Sequence, residues 1–210
     1  MALAADDERA VGEVLVRQVE GADVVVVDDE PDSTAEVLLD HLTPARTMRL
    51  HELDVAALLE PRDREDVLHR GDPLSASASE AESREGVWTL QLESWRPFHP
   101  DRLRENLEAL GGRPGRSRGV FWLPTRPDVV CQWEGAGGQL SLGNLSTWHD
   151  AGCEACTRLV VTGLDDEIDE VAAVFEATLL TDAELAAGLG AWAGRDDGYD
   201  PWLGSRRDVA

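Results

Sequence analysis

One short stretch of the chain combines two thiols and an imidazole at a spacing that suits a metal ion. It reads His149-Asp150-Ala151-Gly152-Cys153-Glu154-Ala155-Cys156. Two cysteines three positions apart can bind one soft cation, and His149, four residues before Cys153, can supply a third ligand. Cys131 is the candidate for a fourth ligand. Zinc is the metal that such a set predicts.

Two other interpretations of these cysteines stay open. A single Cys-x-x-Cys pair is half of a structural zinc site, and it can instead act as a reducible pair of thiols. Loop cysteines can also have no special role. Cys131 falls on the apolar face of a predicted strand, where a cysteine usually serves as a small core residue. The sequence therefore names zinc as a candidate cofactor without choosing among these interpretations.

No comparable pattern of residues in the sequence indicates catalysis. The chain lacks a G-x-x-x-x-G-K-[ST] phosphate-binding loop, and it contains no lysine that could reach a nucleotide phosphate. No serine, histidine and aspartate order and no catalytic pair of carboxylates stands out. We therefore predict no catalytic residues, no bound GTP and no GTPase activity from this chain alone.

Three residues in the middle of the chain are candidates for a protein interface. Arg96 and Arg126 lie in predicted loops near tryptophans, and His99 directly precedes Pro100 at a predicted helix start. Arginines in such places can bind an anion or a partner, but they can equally pair with the many carboxylates. His99 can equally cap its helix.

The elements that must position these residues follow from residues 87–175. A strand at 87–93 leads into a helix that begins at Pro100 and ends at Gly111 and Gly112. A hairpin at 120–133, strands at 139–142 and 159–161, and a helix from Ile168 complete the order, with 148–157 as a loop. This order predicts an α+β layer with helices on one face of a mainly antiparallel sheet.

The first 60 residues predict a different arrangement. A helix near 11–18 precedes an apolar run at 22–27, whose four consecutive valines predict a strand buried on both faces. A helix with a Ser33 and Glu36 capping box, a strand at 46–50 and a helix at 54–59 follow. We predict a linker at 61–86, flexible from about 75 to 84, and a tail at 191–210. Within the tail, residues 196–210 are polar, with Trp202 as their only large anchor.

Two long segments resemble the motifs of the CobW C-terminal domain, which belongs to a family of P-loop GTPase metallochaperones. They are Arg96-Pro97-Phe98-His99-Pro100-Asp101-Arg102-Leu103 and Ser117-Arg118-Gly119-Val120-Phe121-Trp122-Leu123-Pro124-Thr125-Arg126-Pro127-Asp128. The resemblance implies a truncated member of the family. Its fold is expected to be an α/β remnant of a P-loop GTPase domain followed by an α+β CobW C-terminal domain.

The same resemblance sets the expected domain limits. Residues 1–60 correspond to a degenerate C-terminal part of a GTPase-like α/β domain, and 87–190 to the CobW C-terminal domain. The family reads guanine with an Asn-Lys-x-Asp motif, but Asp28, Asp29 and Pro31 stand at the matching positions. This departure implies that the guanine-binding chemistry is lost.

The function implied by the resemblance is a non-catalytic accessory role in zinc or cobalt homeostasis, through binding of a protein or a metal. One alternative is the C-terminal half of a split GTP-dependent metallochaperone, whose partner would be the GTPase half. Another is an adaptor for zinc limitation related to ribosome hibernation. In each case a protein partner is expected, either a GTPase or a metal client.

Composition limits the kinds of partner and the cellular location that the sequence predicts. The formal net charge is −23 at pH 7, and nucleic-acid binding needs a basic surface. Three cysteines are too few for a disulfide framework, and no stretch predicts a signal peptide or a membrane span. We therefore predict a cytoplasmic protein that binds neither nucleic acid nor membrane.

Overall fold

The computed structural model of the protein describes residues 11–27, 32–43, 47–50, 55–59, 69, 71–164 and 167–205. Its first part is a parallel pair of strands with a helical crossover, as the apolar pattern predicted. The strands β1 and β2 pair in the register Val24↔Met48. The elements are α1 Val11–Gly21, β1 Val24–Val26, α2 Ser33–Leu42, β2 Met48–Leu50 and α3 Val55–Leu58. Asp28, Asp29 and Pro31, which carry the predicted loss of guanine binding, lie outside the described residues.

Two local expectations for this part are corrected. Val26 is 42% exposed, so β1 is not buried on both faces. The reason is that β2 is its only neighbouring strand within the described residues. The cap of α2 is Asp32 rather than Ser33, because the Asp32 carboxylate accepts a hydrogen bond from the Ala35 N–H at 2.7 Å.

A five-stranded antiparallel sheet in the order β3-β7-β4-β5-β6 forms the larger part of the molecule. This sheet confirms the predicted α+β layer. The hairpin β4–β5 lies at its centre, and β3 and β6 are its edges. The elements are β3 Trp88–Ser94, α4 Pro100–Gly111, β4 Gly115–Leu123, β5 Arg126–Ala136, β6 Gln139–Thr147, α5 Trp148–Ala151, β7 Thr157–Gly163 and α6 Ile168–Thr178.

The inner face of this sheet is apolar and is covered by α4 and α6. The central strands contribute alternate residues to this face, because successive side chains in a strand point to opposite sides. Phe98 packs edge-on against Phe175 of α6, with ring centroids 5.4 Å apart. The buried cluster includes Leu103, Leu110, Phe121, Leu123, Cys131, Trp133, Leu159, Val171 and Phe175.

The outer face of the sheet is partly polar and lies against N-terminal segments of the chain. Arg116 of β4 binds Glu20 of α1, and His41 of α2 contacts Thr89 of β3 through Nδ1 and Oγ1, 2.8 Å apart. A small apolar cluster of Val120, Trp122, Val130 and Trp148 occupies the rest of this face.

The predicted linker makes specific contacts where the structure describes it. A single 3₁₀ turn spans Pro73–Ser75. The Ala78 N–H then donates to Gln91 Oε1 at 3.1 Å, and Ser79 Oγ donates to the Asp40 carbonyl at 3.1 Å. Residues 71–86 therefore contact both α2 and the edge strand β3.

The tail contains α7 Asp182–Ala186, a 3₁₀ turn at Leu189–Trp192 and α8 Asp200–Leu203. Here the expectation for Trp202 is wrong: it is 55% exposed, whereas Tyr199 and Leu203 are almost fully buried. The Tyr199 hydroxyl donates to the Pro100 carbonyl at 3.2 Å, so the tail packs against the start of α4. Within the described ranges, no helix has both the length and the apolar character needed to cross a membrane.

Candidate functional site

The cysteine loop begins with a single helical turn rather than with the irregular loop that the sequence predicted. Thr147 caps α5 by accepting a hydrogen bond from the Asp150 N–H at 3.1 Å. Gly152 then ends the turn with a φ of 68°, a left-handed conformation that glycine adopts without strain. The Cys153 N–H donates to the Trp148 carbonyl at 3.3 Å, which holds the loop against the turn.

Cys153 and Cys156 line the same open cleft, which has a volume of about 540 Å³. Cys153 is exposed and Cys156 is half-buried. The opposite side carries Glu93 and Arg158, whose Nη2 donates to Glu93 Oε1 at 3.1 Å. Asp72, Trp95 and Glu154 also line the cleft. The arrangement places two soft sulfur ligands in one open cleft beside several carboxylates.

The protonation of Cys156 follows from this position. Burial raises the pKa of its thiol, and the nearby Arg158 cation only partly opposes that effect. The thiol is therefore protonated at neutral pH. A metal ion that binds it must displace the proton, so metal affinity in this cleft depends on pH.

The structure does not bring all four predicted ligands together. His149 is exposed and lines a different cleft of about 570 Å³, together with Asp128 and Asn144. Cys131 is fully buried in the cluster on the inner face of the sheet, whereas Cys156 packs against the cluster on the outer face. The sheet therefore lies between the two thiols, and a role of Cys131 as a fourth ligand stays a prediction.

In the part of the chain that the structure covers, no group of three or more histidine, cysteine and acidic side chains is placed to hold a metal ion. Cys131 itself behaves as the core residue of the alternative interpretation, and burial raises its pKa to about 12. The Cys153 and Cys156 pair remains a predicted metal contact.

Arg96 and His99, two of the predicted interface residues, have intramolecular contacts. Arg96 Nη2 donates to Asp182 Oδ1 at 2.6 Å, and its guanidinium carbon lies 5.6 Å from the ring centroid of Trp95. His99 caps α4, because its Nδ1 accepts hydrogen bonds from the N–H groups of Asp101 and Arg102. The interface role of both residues stays a prediction, although Trp95 beside Arg96 is 65% exposed.

Arg126 is almost fully buried and pairs with the tail. Its guanidinium donates two hydrogen bonds to Asp197 and one to the Gly204 carbonyl. Thr125 Oγ1 donates to the same Asp197 carboxylate at 2.6 Å. In this structure Arg126 therefore holds the tail against β5, and its predicted interface role is untested.

One buried charge cluster was not anticipated from the sequence. Arg116 of β4 donates to Glu20 at 2.7 and 3.0 Å and to Glu134 of β5 at 2.6 Å. Strand alternation places Arg116 and Glu134 on one face of the hairpin. The pairing of these two residues could therefore have been inferred from the sequence. Glu20 lies 96 positions before Arg116 along the chain, and no local signal connects them.

The chain is similar to known proteins, and residues 87–179 are the part that a family model matches. These residues match the model of the cobalamin synthesis protein cobW C-terminal domain. A zinc chaperone of Mycobacterium tuberculosis is 34% identical over 148 residues, which cover 68% of this chain and 36% of that protein. The zinc-regulated GTPase metalloprotein activator 1 of Dictyostelium discoideum is 27% identical over 165 residues, which cover 68% of this chain and 34% of that protein.

The solved structures that resemble this chain include the zinc-bound YjiA GTPase from Escherichia coli. It is 16% identical, with a TM-score of 0.47, and the match covers 79% of this chain and 54% of that chain. The chain spans only about a third of the length of the M. tuberculosis and D. discoideum relatives. The match at 87–179 is to the domain that the two sequence motifs predicted. By sequence, residues 87–179 therefore match the C-terminal domain of the CobW family.

Proposed function

We propose that this chain acts in zinc homeostasis as a non-catalytic protein that binds a partner and exchanges zinc with it at Cys153 and Cys156. The observation that carries the proposal is the match of 87–179 to the CobW C-terminal domain, together with the similarity to relatives named as a zinc chaperone and as a zinc-regulated GTPase metalloprotein activator. The two cysteines in one open cleft support the choice of metal contact.

The chemistry of the cleft suits exchange rather than permanent storage. Structural zinc sites in proteins use four ligands in a tetrahedron, whereas Cys153 and Cys156 offer two. The remaining positions must be filled by water, by a nearby carboxylate or by ligands of a second protein. An incomplete ligand set in an open cleft allows a partner's ligands to replace the two thiolates one at a time.

Nucleotide chemistry, where the process requires it, must come from outside these 210 residues. The sequence contains neither the phosphate-binding loop nor any lysine. A GTPase is therefore the partner that we favour over a metal client. The exposed β1 strand supports this choice, because strands of parallel sheets are normally buried on both faces and Val26 is 42% exposed.

A zinc titration of the purified chain, competed against a chromophoric chelator under reducing conditions, tests the metal part. We expect one zinc per chain, and we expect the double variant Cys153→Ser/Cys156→Ser to lose more than about tenfold in affinity. His149→Ala and Cys131→Ala serve as matched controls, because the structure places both residues outside the cleft. Unchanged affinity in the double variant would disprove the assignment.

Affinity capture from a native lysate of the source organism tests the partner part. We expect a P-loop GTPase to be retained by the wild-type chain. Isothermal titration with GTP should detect no binding to the isolated chain. Tight GTP binding by the chain itself would overturn the non-catalytic assignment, whatever the zinc titration shows.

A further inference from the structure

The edge strand β6 has an unusual composition for this protein. Its nine residues, Gln139–Thr147, contain no charged side chain and no proline, although 29% of the whole chain is charged. Within the described residues, β6 pairs only with β5. Proteins usually protect such an edge with charges, prolines, bulges or a covering segment. Only a single irregularity, near Leu145, interrupts β6.

The backbone of β6 directs some of its hydrogen-bonding groups away from its neighbour β5. Gly137 and Gly138 form a two-residue turn with φ values of 60° and 83°, which is typical of a type I′ hairpin. In such a hairpin the pair Ala136↔Gln139 is bonded across the turn. The alternation of an antiparallel ladder then directs the N–H and C=O groups of Leu140 and Leu142 away from β5.

The opposite edge of the sheet differs. Strand β3 carries Glu93, which binds Arg158, and Gln91 accepts a hydrogen bond from the Ala78 N–H. Residues of the N-terminal half thus contact β3. On β6, the helix α8 of the tail packs beside Asn144, Ser146 and Thr147, and Asn144 Nδ2 donates to the Leu203 carbonyl at 3.4 Å. These contacts lie beyond the regular part of the strand. The regular part of β6 is therefore the more accessible edge.

We propose that β6 pairs antiparallel with β6 of a second copy of this chain, so that two five-stranded sheets join into one of ten strands. The distribution of charge favours a second copy of this chain as the partner of β6. At a net charge of −23, two copies repel each other over most of their surfaces, but residues 139–143 of β6 carry no carboxylate that would oppose their approach. A twofold axis makes antiparallel pairing of identical strands self-complementary. A basic partner is not favoured at β6, because a basic surface binds carboxylates and this strand has none.

The expected dimer is a reversible one. The regular part of β6 spans about 20 Å at roughly 3.3 Å per residue, and a pair of such strands buries less area than a standard interface of about 1,600 Å². The dimer should therefore form at high protein concentration and dissociate on dilution. This inference is independent of zinc binding.

Gly143 provides the site for the test. A side chain built there meets only Gln132 atoms at 3.8 and 4.0 Å, which is ordinary contact, so substitutions should not disturb the fold. Gly143→Asp and Gly143→Arg each place like charges near the twofold axis. Gly143→Ser is the uncharged control, and thermal melting of each variant verifies folding.

Sedimentation velocity over a dilution series should show a rising sedimentation coefficient for the wild type and for Gly143→Ser. Each charged variant alone should remain monomeric over a wider concentration range, and an equal mixture of the two should recover association. Amide exchange at Leu140 and Leu142 should slow with concentration only where a dimer forms. A wild type that is monomeric throughout, or a dimer that Gly143→Asp does not weaken, would overturn the proposal.

Discussion

The guanidinium of Arg126 and the carboxylate of Asp197 form a buried, two-point ion pair across 71 positions of the chain. Nε lies 2.9 Å from Oδ2, and Nη2 lies 3.0 Å from Oδ1. The Tyr199 N–H and the Thr125 hydroxyl also donate to this carboxylate. Because its oxygens are satisfied, Asp197 stays ionised despite its burial. Its pKa is lowered, since these hydrogen bonds outweigh the desolvation that opposes ionisation.

Removal of Arg126 should therefore destabilise the protein strongly. Arg126→Ala leaves the buried Asp197 charge without its cation, and loss of one partner of a buried pair costs about 3–5 kcal/mol of unfolding free energy. Urea denaturation measures that loss. Arg126→Lys keeps the positive charge but not the two-point geometry. Its free energy of unfolding should therefore lie between those of the wild type and Arg126→Ala. A loss below about 1 kcal/mol for the alanine variant would show that the pair contributes little.

The ion pair between Glu20 and Arg116 should stabilise the packing of α1 against the sheet. Glu20→Gln keeps the side-chain shape but removes the charge, and hydrogen bonds to charged groups contribute about 1.5–3 kcal/mol. Arg116 retains Glu134 in this variant, so the loss should stay within that range. We expect faster amide exchange in α1, measured by mass spectrometry. Glu13→Gln is the control: its carboxylate contacts Arg17 at 3.2 Å near the surface, and its effect should be below about 1 kcal/mol.

His99 should make the stability of the protein depend on pH. Burial first, and then the Arg102 cation, lower the pKa of His99 below its usual 6.5, although Glu184 and Asp101 act in the opposite direction. The unfolded chain therefore takes up this proton at a higher pH than the folded chain does. The contribution of neutral His99 to the free energy of unfolding should be fully present above about pH 6.5 and should be lost as the pH drops below that value. Protonation at Nδ1 would also remove the acceptor that caps α4.

Urea unfolding at pH 7.5 and 5.5 checks this dependence, and histidine NMR titration gives the pKa directly. His99→Asn retains a capping acceptor that does not titrate, so its stability should change less between the two pH values. At pH 7.5, His99→Ala should lose about 1 kcal/mol through the missing cap. Equal pH dependence in the wild type and His99→Asn would contradict the role of His99.

The three cysteines should react with thiol reagents at different rates. Cys153 is exposed and should react first, whereas Cys156 is half-buried with a raised pKa and should react more slowly. Cys131 is fully buried, and burial raises its pKa to about 12, so it should react only on unfolding. Because the thiolate is the reactive form, labelling should speed up with rising pH. Timed labelling followed by peptide mass spectrometry gives the order, and early labelling of Cys131 would contradict the fold.

Features that depend on neighbouring residues were predictable. Thr181 and Glu184 stand three positions apart, which is the spacing of a capping box, and the Glu184 N–H donates to Thr181 Oγ1 at 3.3 Å. Strand alternation likewise placed Cys131 on an apolar face, in agreement with its burial. The strand β6 was underestimated: 139–142 was predicted and Gln139–Thr147 is observed. Its polar and glycine residues have weak strand preference, so pairing with β5 determines its length.

By itself the sequence determined the order of the strands and of the two long helices in 87–175, the resemblance of this segment to the CobW C-terminal domain, and the lack of a phosphate-binding loop in these 210 residues. These features depend on local pattern and on residue types. Only the tertiary structure decided which distant residues meet. It separated Cys131 from Cys156 by a sheet, turned His149 toward another cleft, and joined Arg126 to Asp197 and Arg116 to Glu20. The physical reason is that such contacts depend on how elements pack in three dimensions, and no spacing along the chain encodes that packing.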